Sequence, residues 1–116
     1  YIYLSRAGVY TKYDRDINEL SSASCIYKVR DICIVLVDNN KWRKQKALSP
    51  LHVDYAYICR GFYGSVADLK RLFQIKQVVL DTSLEDSYRE KLKRECEFYG
   101  LNYIDMSEKG SYAILL

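Results

Sequence analysis

From Ile32 to Val37 the chain places six apolar side chains in a row, whereas Cys25 to Val29 alternates, with Lys28 and Arg30 flanking Val29. An alternating segment has one solvated face, and a continuous apolar run is covered on both. With Arg30-Asp31 as the turn, the pair predicts a β-hairpin whose second strand is the more central one. Tyr1 to Tyr13 alternates as well, through Ile2-Tyr3-Leu4 and Val9-Tyr10-Thr11, and predicts an edge strand or hairpin. Asp14 to Ser24 is polar and reads as a connection.

After the only proline, Pro50, the period changes. The pattern predicts a strand over Asp54 to Cys59, a helix over Val66 to Phe73 and a strand over Gln77 to Asp81. A helix over Leu84 to Tyr99 and two short strands, Asn102 to Asp105 and Ser111 to Leu116, complete the chain. The fold class is therefore α/β: a mixed sheet in which N-terminal β-hairpins precede a β-α-β-α-β-β arrangement with parallel strands. Helix ends are signalled at three places. Ser65 stands three residues before Asp68 as an N-cap, Thr82 and Glu85 have capping-box spacing, and Gly100 suits a left-handed C-terminal residue. On the second helix Leu84, Tyr88, Leu92, Cys96 and Tyr99 share a face, and Glu90, Lys91, Lys93, Arg94 and Glu97 read as its solvated side.

A length of 116 residues supports one domain with one core, and 49% hydrophobic content argues against disorder. The expected organisation is a single soluble domain, residues 1–116. It begins at Tyr1 rather than Met and lacks any apolar run of membrane-spanning length, and so reads as excised from a larger protein. A net charge of +3 permits contact with polyanions without being that of a dedicated DNA binder. The twelve tyrosines either fill the core and its rim or stack on bases. Cys25, Cys33, Cys59 and Cys96 form no CxxC pair and lie in apolar segments, which predicts buried free thiols rather than a disulfide framework or a zinc site.

Chemistry concentrates in two stretches. Lys41, Arg43, Lys44 and Lys46 surround Trp42, a composition suited to phosphates and a stacked base or simply to a solvated loop. The other is the strand-to-helix loop Arg60-Gly61-Phe62-Tyr63-Gly64-Ser65, where ligands of α/β proteins commonly sit. It reads either as a tight turn or as an anion site made by glycine amides and the following helix N-terminus. It lacks the lysine and glycine spacing of a P-loop. The single histidine, His52, reads as a surface or capping residue, or as a proton-transfer partner of Asp54 or Asp81. Asp54 opens its expected strand and Asp81 ends its own, which puts them at opposite edges of a parallel sheet.

From Leu51 onward the order of segments resembles the carboxy-terminal end of the ComEC family of DNA-uptake (natural competence) proteins. That family's last soluble part is a metallo-β-lactamase-like domain. There a "VDILKV" strand leads into an "HHGS" loop, then helix, strand, helix and a closing glycine-aromatic strand. Val53-Asp54-Tyr55 matches the strand start, Phe62-Tyr63-Gly64-Ser65 the loop, and Lys109-Gly110-Ser111-Tyr112-Ala113-Ile114 the closing strand. The strand Gln77 to Asp81 and the segment Cys96 to Leu101 also fit, as in shortened ComEC-like proteins of the Bacteroides group.

The resemblance implies half of a metallo-β-lactamase fold with a degenerate active-site loop, Gly61 to Ser65. Phe62 and Tyr63 replace the family's two histidines, and the upstream HxHxDH ligand motif has no counterpart. Zinc hydrolysis needs several such ligands and an open water position. The expectation is a domain without catalytic residues, metal, cofactor or small-molecule substrate. It would assist DNA uptake from the extracytoplasmic side of the cytoplasmic membrane, its partners being single-stranded DNA and the membrane-embedded part of the same protein. Lys41, Trp42, Arg43, Lys44, Lys46 and Arg60 are the candidate DNA contacts. The alternatives are a metal-dependent nuclease or phosphoesterase rebuilt on Asp54, His52 and Asp81, and a purely structural interaction module.

Overall fold

The structure, a computed structural model, describes residues 2–5, 8–11, 17–21, 26–29, 31–38, 50–109 and 113–114, with side chains over 26–28, 31–38 and 50–107. Six strands form one sheet in sequence order: β3 (Ile17–Ser21), β4 (Ile26–Val29), β5 (Ile32–Val37), β6 (Leu51–Ile58), β7 (Phe73–Leu80) and β8 (Asn102–Asp105). The first three are antiparallel, with Val29 opposite Ile32 across the expected hairpin turn. From β5 onward every pairing is parallel, so β5 is central while β4 alternates. β1 (Ile2–Ser5) and β2 (Gly8–Thr11) form the N-terminal hairpin of a second, three-stranded sheet. Its third strand is β9 (Ala113–Ile114), which pairs with β1. Mixed α/β winding is thus observed.

Three expectations are corrected here. Asp14 to Ser24 is not only a connection, because Ile17–Ser21 forms β3, which among the described residues is an edge strand paired with β4 alone. Polar edge strands carry little apolar signal. The closing segment does not extend the main sheet, since Ala113–Ile114 joins β1. A short helix, α3 (Met106–Lys109), intervenes after β8 and carries the chain off the sheet edge.

α1 (Val66–Lys70) and α2 (Asp86–Tyr99) join β6 to β7 and β7 to β8. Parallel strands added in one direction by right-handed crossovers keep both helices on one face. That face holds the larger core, with Val35, Val37, Ile58, Val78 and Leu80 of the sheet against Val66, Leu69, Leu92 and Cys96 of the helices. The other face buries Ile34, Leu36, Tyr57, Cys59 and Val79 with Met106 of α3. β5 alternates between the two clusters residue by residue, which is why its sequence reads as a solid apolar run.

Element ends differ from expectation for local reasons. β6 starts at Leu51, three residues early, because Leu51 donates to the Leu72 carbonyl and faces Phe73 in the ladder. The same pairing begins β7 at Phe73 and ends α1 at Lys70. His52 therefore lies in a strand rather than a loop, and Asp54 is inside β6 rather than at its start. The Thr82–Glu85 capping box does not form: Glu85 is the N-cap of α2 and makes no side-chain cap bond. Gly100 does close α2 in the left-handed region, at φ 69°.

Candidate functional site

The carboxyl ends of the parallel strands converge on the β6–α1 loop. Beyond Ile58 the ladder continues for one residue on each side, with Cys59 donating to the Val37 carbonyl and Asp81 to the Ile58 carbonyl, each at 2.9 Å. Gly61, at φ 116°, then turns the chain in a conformation that disfavours side chains. Phe62 enters the helix-side core with no exposed surface, while Tyr63 points outward with 56% exposure. Gly64 follows at a point of close approach. A Cβ there would stand 2.7 Å from both Phe62 Cζ and Asp68 Oδ2. The glycine thus serves packing: it lets the Phe62 ring lie under the loop.

Ser65 and Asp68 form the expected capping box, Asp68 N–H donating to Ser65 Oγ at 3.2 Å and Ser65 N–H to Asp68 Oδ2 at 2.9 Å. Val66 N–H donates to Glu95 Oε1 of α2 at 2.8 Å. The helix-start amides of the anion-site reading, those of Ser65, Val66 and Asp68, are thus engaged by two carboxylates and a hydroxyl of the chain itself, and α1 is too short to develop a substantial dipole. Both observations favour the tight-turn reading.

Beneath the loop lies a layer of buried polar groups. Tyr57 donates its hydroxyl hydrogen to Asp81, which also accepts from Ser83 N–H at 3.0 Å. Ser83 Oγ in turn accepts from Arg60 N–H at 3.0 Å, so the β7–α2 loop supports the β6–α1 loop. Burial pushes the Asp81 carboxyl up, but hydrogen bonds from Ser83, Tyr57 and the Ser83 and Thr82 backbone outweigh it and leave Asp81 below the usual carboxylate range. The Tyr57 phenol is pushed far above its ordinary value by burial, then by the bond to Asp81 and its charge. Both groups are thus shifted away from neutrality, the wrong direction for proton transfer near pH 7.

A second polar group anchors α2. The Arg89 guanidinium donates to the Thr82 and Leu84 carbonyls at 3.2 and 2.6 Å and pairs with Asp86 and Asp105 at 2.8 and 3.6 Å. Lys93 reaches the other oxygen of Asp105 at 2.6 Å. Burial raises the Asp105 carboxyl, and the bonds from Lys93 and Ser107 with the Lys93 charge bring it below its ordinary value. Lys93 therefore belongs to this network and not to a freely solvated face. Arg89 was legible in principle: it stands three residues before Leu92 on the buried stripe of α2, where a cation needs partners.

On the helix side, between the β6–α1 loop and α2, lies a cavity of about 190 Å³ lined by Arg60, Phe62, Tyr63, Leu84, Glu85 and Tyr88. Phe62 and Leu84 are buried, Tyr63 is exposed, and Tyr88 is held half-buried by donating its hydroxyl hydrogen to the Gly64 carbonyl. The Tyr63 and Tyr88 rings are 6.3 Å apart and inclined at 45°. In the sequence pattern Tyr88 is a core-facing tyrosine and Glu85 a cap, and neither signals a pocket.

The expected loop residues Arg60, Gly61, Phe62, Tyr63, Gly64 and Ser65 are thus brought together beside a pocket. Lys41, Trp42, Arg43, Lys44 and Lys46 lie outside the described residues. His52 Nε2 is 3.6 Å from Asp54 Oδ1, and Asp54 also accepts from Cys33 N–H. Asp81 is not part of that group. The β6–β7 register places it beside Cys59, five residues past Asp54 along parallel strands, a separation of about 16 Å. Among the described residues no three His, Cys, Asp or Glu side chains are grouped to hold a metal.

Fold and site together define a class: an α/β domain with α1 and α2 on one face of the sheet and an aromatic pocket at the carboxyl ends of its parallel strands. The ComEC C-terminal domain family matches residues 3–116, and the chain belongs to that family. Membership gives it a role in the DNA uptake of competence, as part of a membrane protein. No curated protein and no solved structure matches the chain, so the metallo-β-lactamase likeness finds no support there. No helix among the described residues is long and apolar enough to cross a membrane.

Proposed function

We propose that this domain is a non-catalytic accessory of a membrane-embedded competence protein, making sequence-independent contact with single-stranded DNA as it is taken up. One observation carries the reading: Phe62 fills the core and Tyr63 faces solvent, in the loop where the resembling family places two histidine ligands. The exposed Arg60 beside them, together with Lys41, Trp42, Arg43, Lys44 and Lys46, supplies the cations and rings that such contact needs. Unpaired cysteines favour a reducing compartment, but the extracytoplasmic side is tolerable for thiols that are buried. Cys59 and Cys96 are buried, and burial followed by the charges of Glu95 and Glu97 pushes Cys96 up to about 11, which keeps it protonated and slow to oxidise.

The test is binding of single-stranded DNA across a salt series. Each phosphate contact adds about −0.7 to the slope of log affinity against log salt, so reversing charge at Lys41, Arg43 and Lys44 should flatten it by about 2. Stoichiometric metal with DNA turnover would sink the reading in favour of a nuclease.

A second reading, docking on another part of the parent protein, is favoured by Phe98. It is 82% exposed at the end of α2, edge-on to Tyr99 at 5.0 Å, with Lys70 over the Tyr99 ring at 4.2 Å. Absence of DNA binding at low salt, with uptake lost in Phe98→Ser, would select it.

A further inference from the structure

We infer that the cavity between the β6–α1 loop and α2 is a nucleobase subsite, which takes one base of the bound single strand out of its stack. The inference rests on the DNA-contact reading above and names what that contact recognises. At about 190 Å³ the cavity is smaller than the pockets of drug-sized ligands, which run from roughly 300 Å³ upward. It admits one planar ring system. Three of its six lining side chains are aromatic, Phe62, Tyr63 and Tyr88, and Leu84 adds a fourth apolar wall.

The ring faces are disposed as a stacking platform requires. Phe62, buried in the core, closes the floor, while Tyr88, tethered to the Gly64 carbonyl, and the exposed Tyr63 present two rings 6.3 Å apart at the mouth. Base stacking on such side chains is tolerant of sequence, because every base has a π-face. The charges complete the match. Arg60, exposed and without an ion pair among those described, offers a cation to the flanking phosphate. Glu85 is acceptor-only and suits an exocyclic amine such as that of cytosine, which thymine lacks. A carboxylate in the wall also disfavours a phosphate there, so the base enters and the backbone stays outside.

The experiment measures fluorescence anisotropy of the chain with oligo-dC, oligo-dT and an abasic oligomer of equal length at one low salt concentration. Oligo-dC should bind about 5- to 150-fold more tightly than the abasic strand. It should also exceed oligo-dT by about fivefold, a preference that Glu85→Gln removes. Tyr63→Ala should lower oligo-dC to the abasic level while Tyr63→Trp retains binding; Tyr63 is exposed, and far-ultraviolet circular dichroism checks that both variants fold. Equal affinity for oligo-dC and abasic strands, or equal behaviour of the two Tyr63 variants, overturns the subsite but leaves the DNA-contact reading intact. Equal affinity for oligo-dC and oligo-dT overturns the part assigned to Glu85. No binding to any of the three strands overturns the DNA-contact reading, and the subsite with it.

Discussion

Replacing Gly64 with alanine tests the packing on which the whole loop depends. The added methyl would stand 2.7 and 2.9 Å from Phe62 Cζ and Cε1 and 2.7 Å from Asp68 Oδ2. Favourable carbon contacts begin at about 3.5 Å, so the ring or the backbone must retreat by nearly 1 Å. The ring is fully buried and Asp68 is fixed in the capping box, which leaves the cavity that Phe62 itself lines as the open direction. Overpacking of this kind costs about 1–3 kcal/mol, a sizeable share of the roughly 5–15 kcal/mol that holds a domain together. Urea unfolding reads it. At a slope of about 1.5 kcal/mol per M the midpoint should fall by roughly 1 M, with the slope itself unchanged. Shrinking the obstructing ring should relieve the clash, so Gly64→Ala combined with Phe62→Leu should be less destabilised than the sum of the two, by about 0.5–3 kcal/mol. A wild-type midpoint for Gly64→Ala, or strict additivity in the double variant, would refute the contact between loop and ring.

Two further outcomes concern the polar layers. Asp105→Ala leaves the buried Arg89 and the half-buried Lys93 charges facing an apolar side chain and should cost about 3–5 kcal/mol by urea unfolding. Asp86→Ala, although its contact with Arg89 is the shorter one, removes a 96% exposed partner and should leave the midpoint unmoved; the reverse ranking would show that distance, not burial, decides. Acid should destabilise the fold through Asp81 and Asp105. Both carboxyls lie below their ordinary values when folded, so the unfolded chain takes up protons first, and stability is lost as pH falls from about 4 through the folded values. The urea midpoint should hold from pH 7 to 5 and drop by pH 3, less steeply in Asp105→Asn; a flat profile contradicts the assignment.

The main architecture was legible because β5, β6 and β7 end in continuous apolar runs buried on both faces, a pattern few other environments produce. The Ser65–Asp68 box and Gly100 were legible because each acts within a single turn of chain. What failed was set by partners distant in sequence. The start of α2 is fixed by Arg89 holding the Thr82 and Leu84 carbonyls and by Asp81 accepting from Ser83, so Thr82 is not needed as a cap. The loop's sequence offers amides to a phosphate, but Glu95, on another helix, occupies one of them. The lead-in Phe73-Gln74-Ile75-Lys76 does alternate, and was hidden by its position directly after a short helix. The pocket needed α2 laid over the β6–α1 loop, which no local pattern announces.

The pairing of β1 with β9 sets Ile2 against Ile114. Two-residue ladders of this separation gain little per bond formed and require closure of a loop containing every other strand, the costliest kind of contact to make early. The six-stranded sheet, built largely from neighbours in sequence, can assemble first and hold the ends near one another. The β1–β9 ladder, unlike the local β1–β2 hairpin, is then a clasp expected to fasten late in folding.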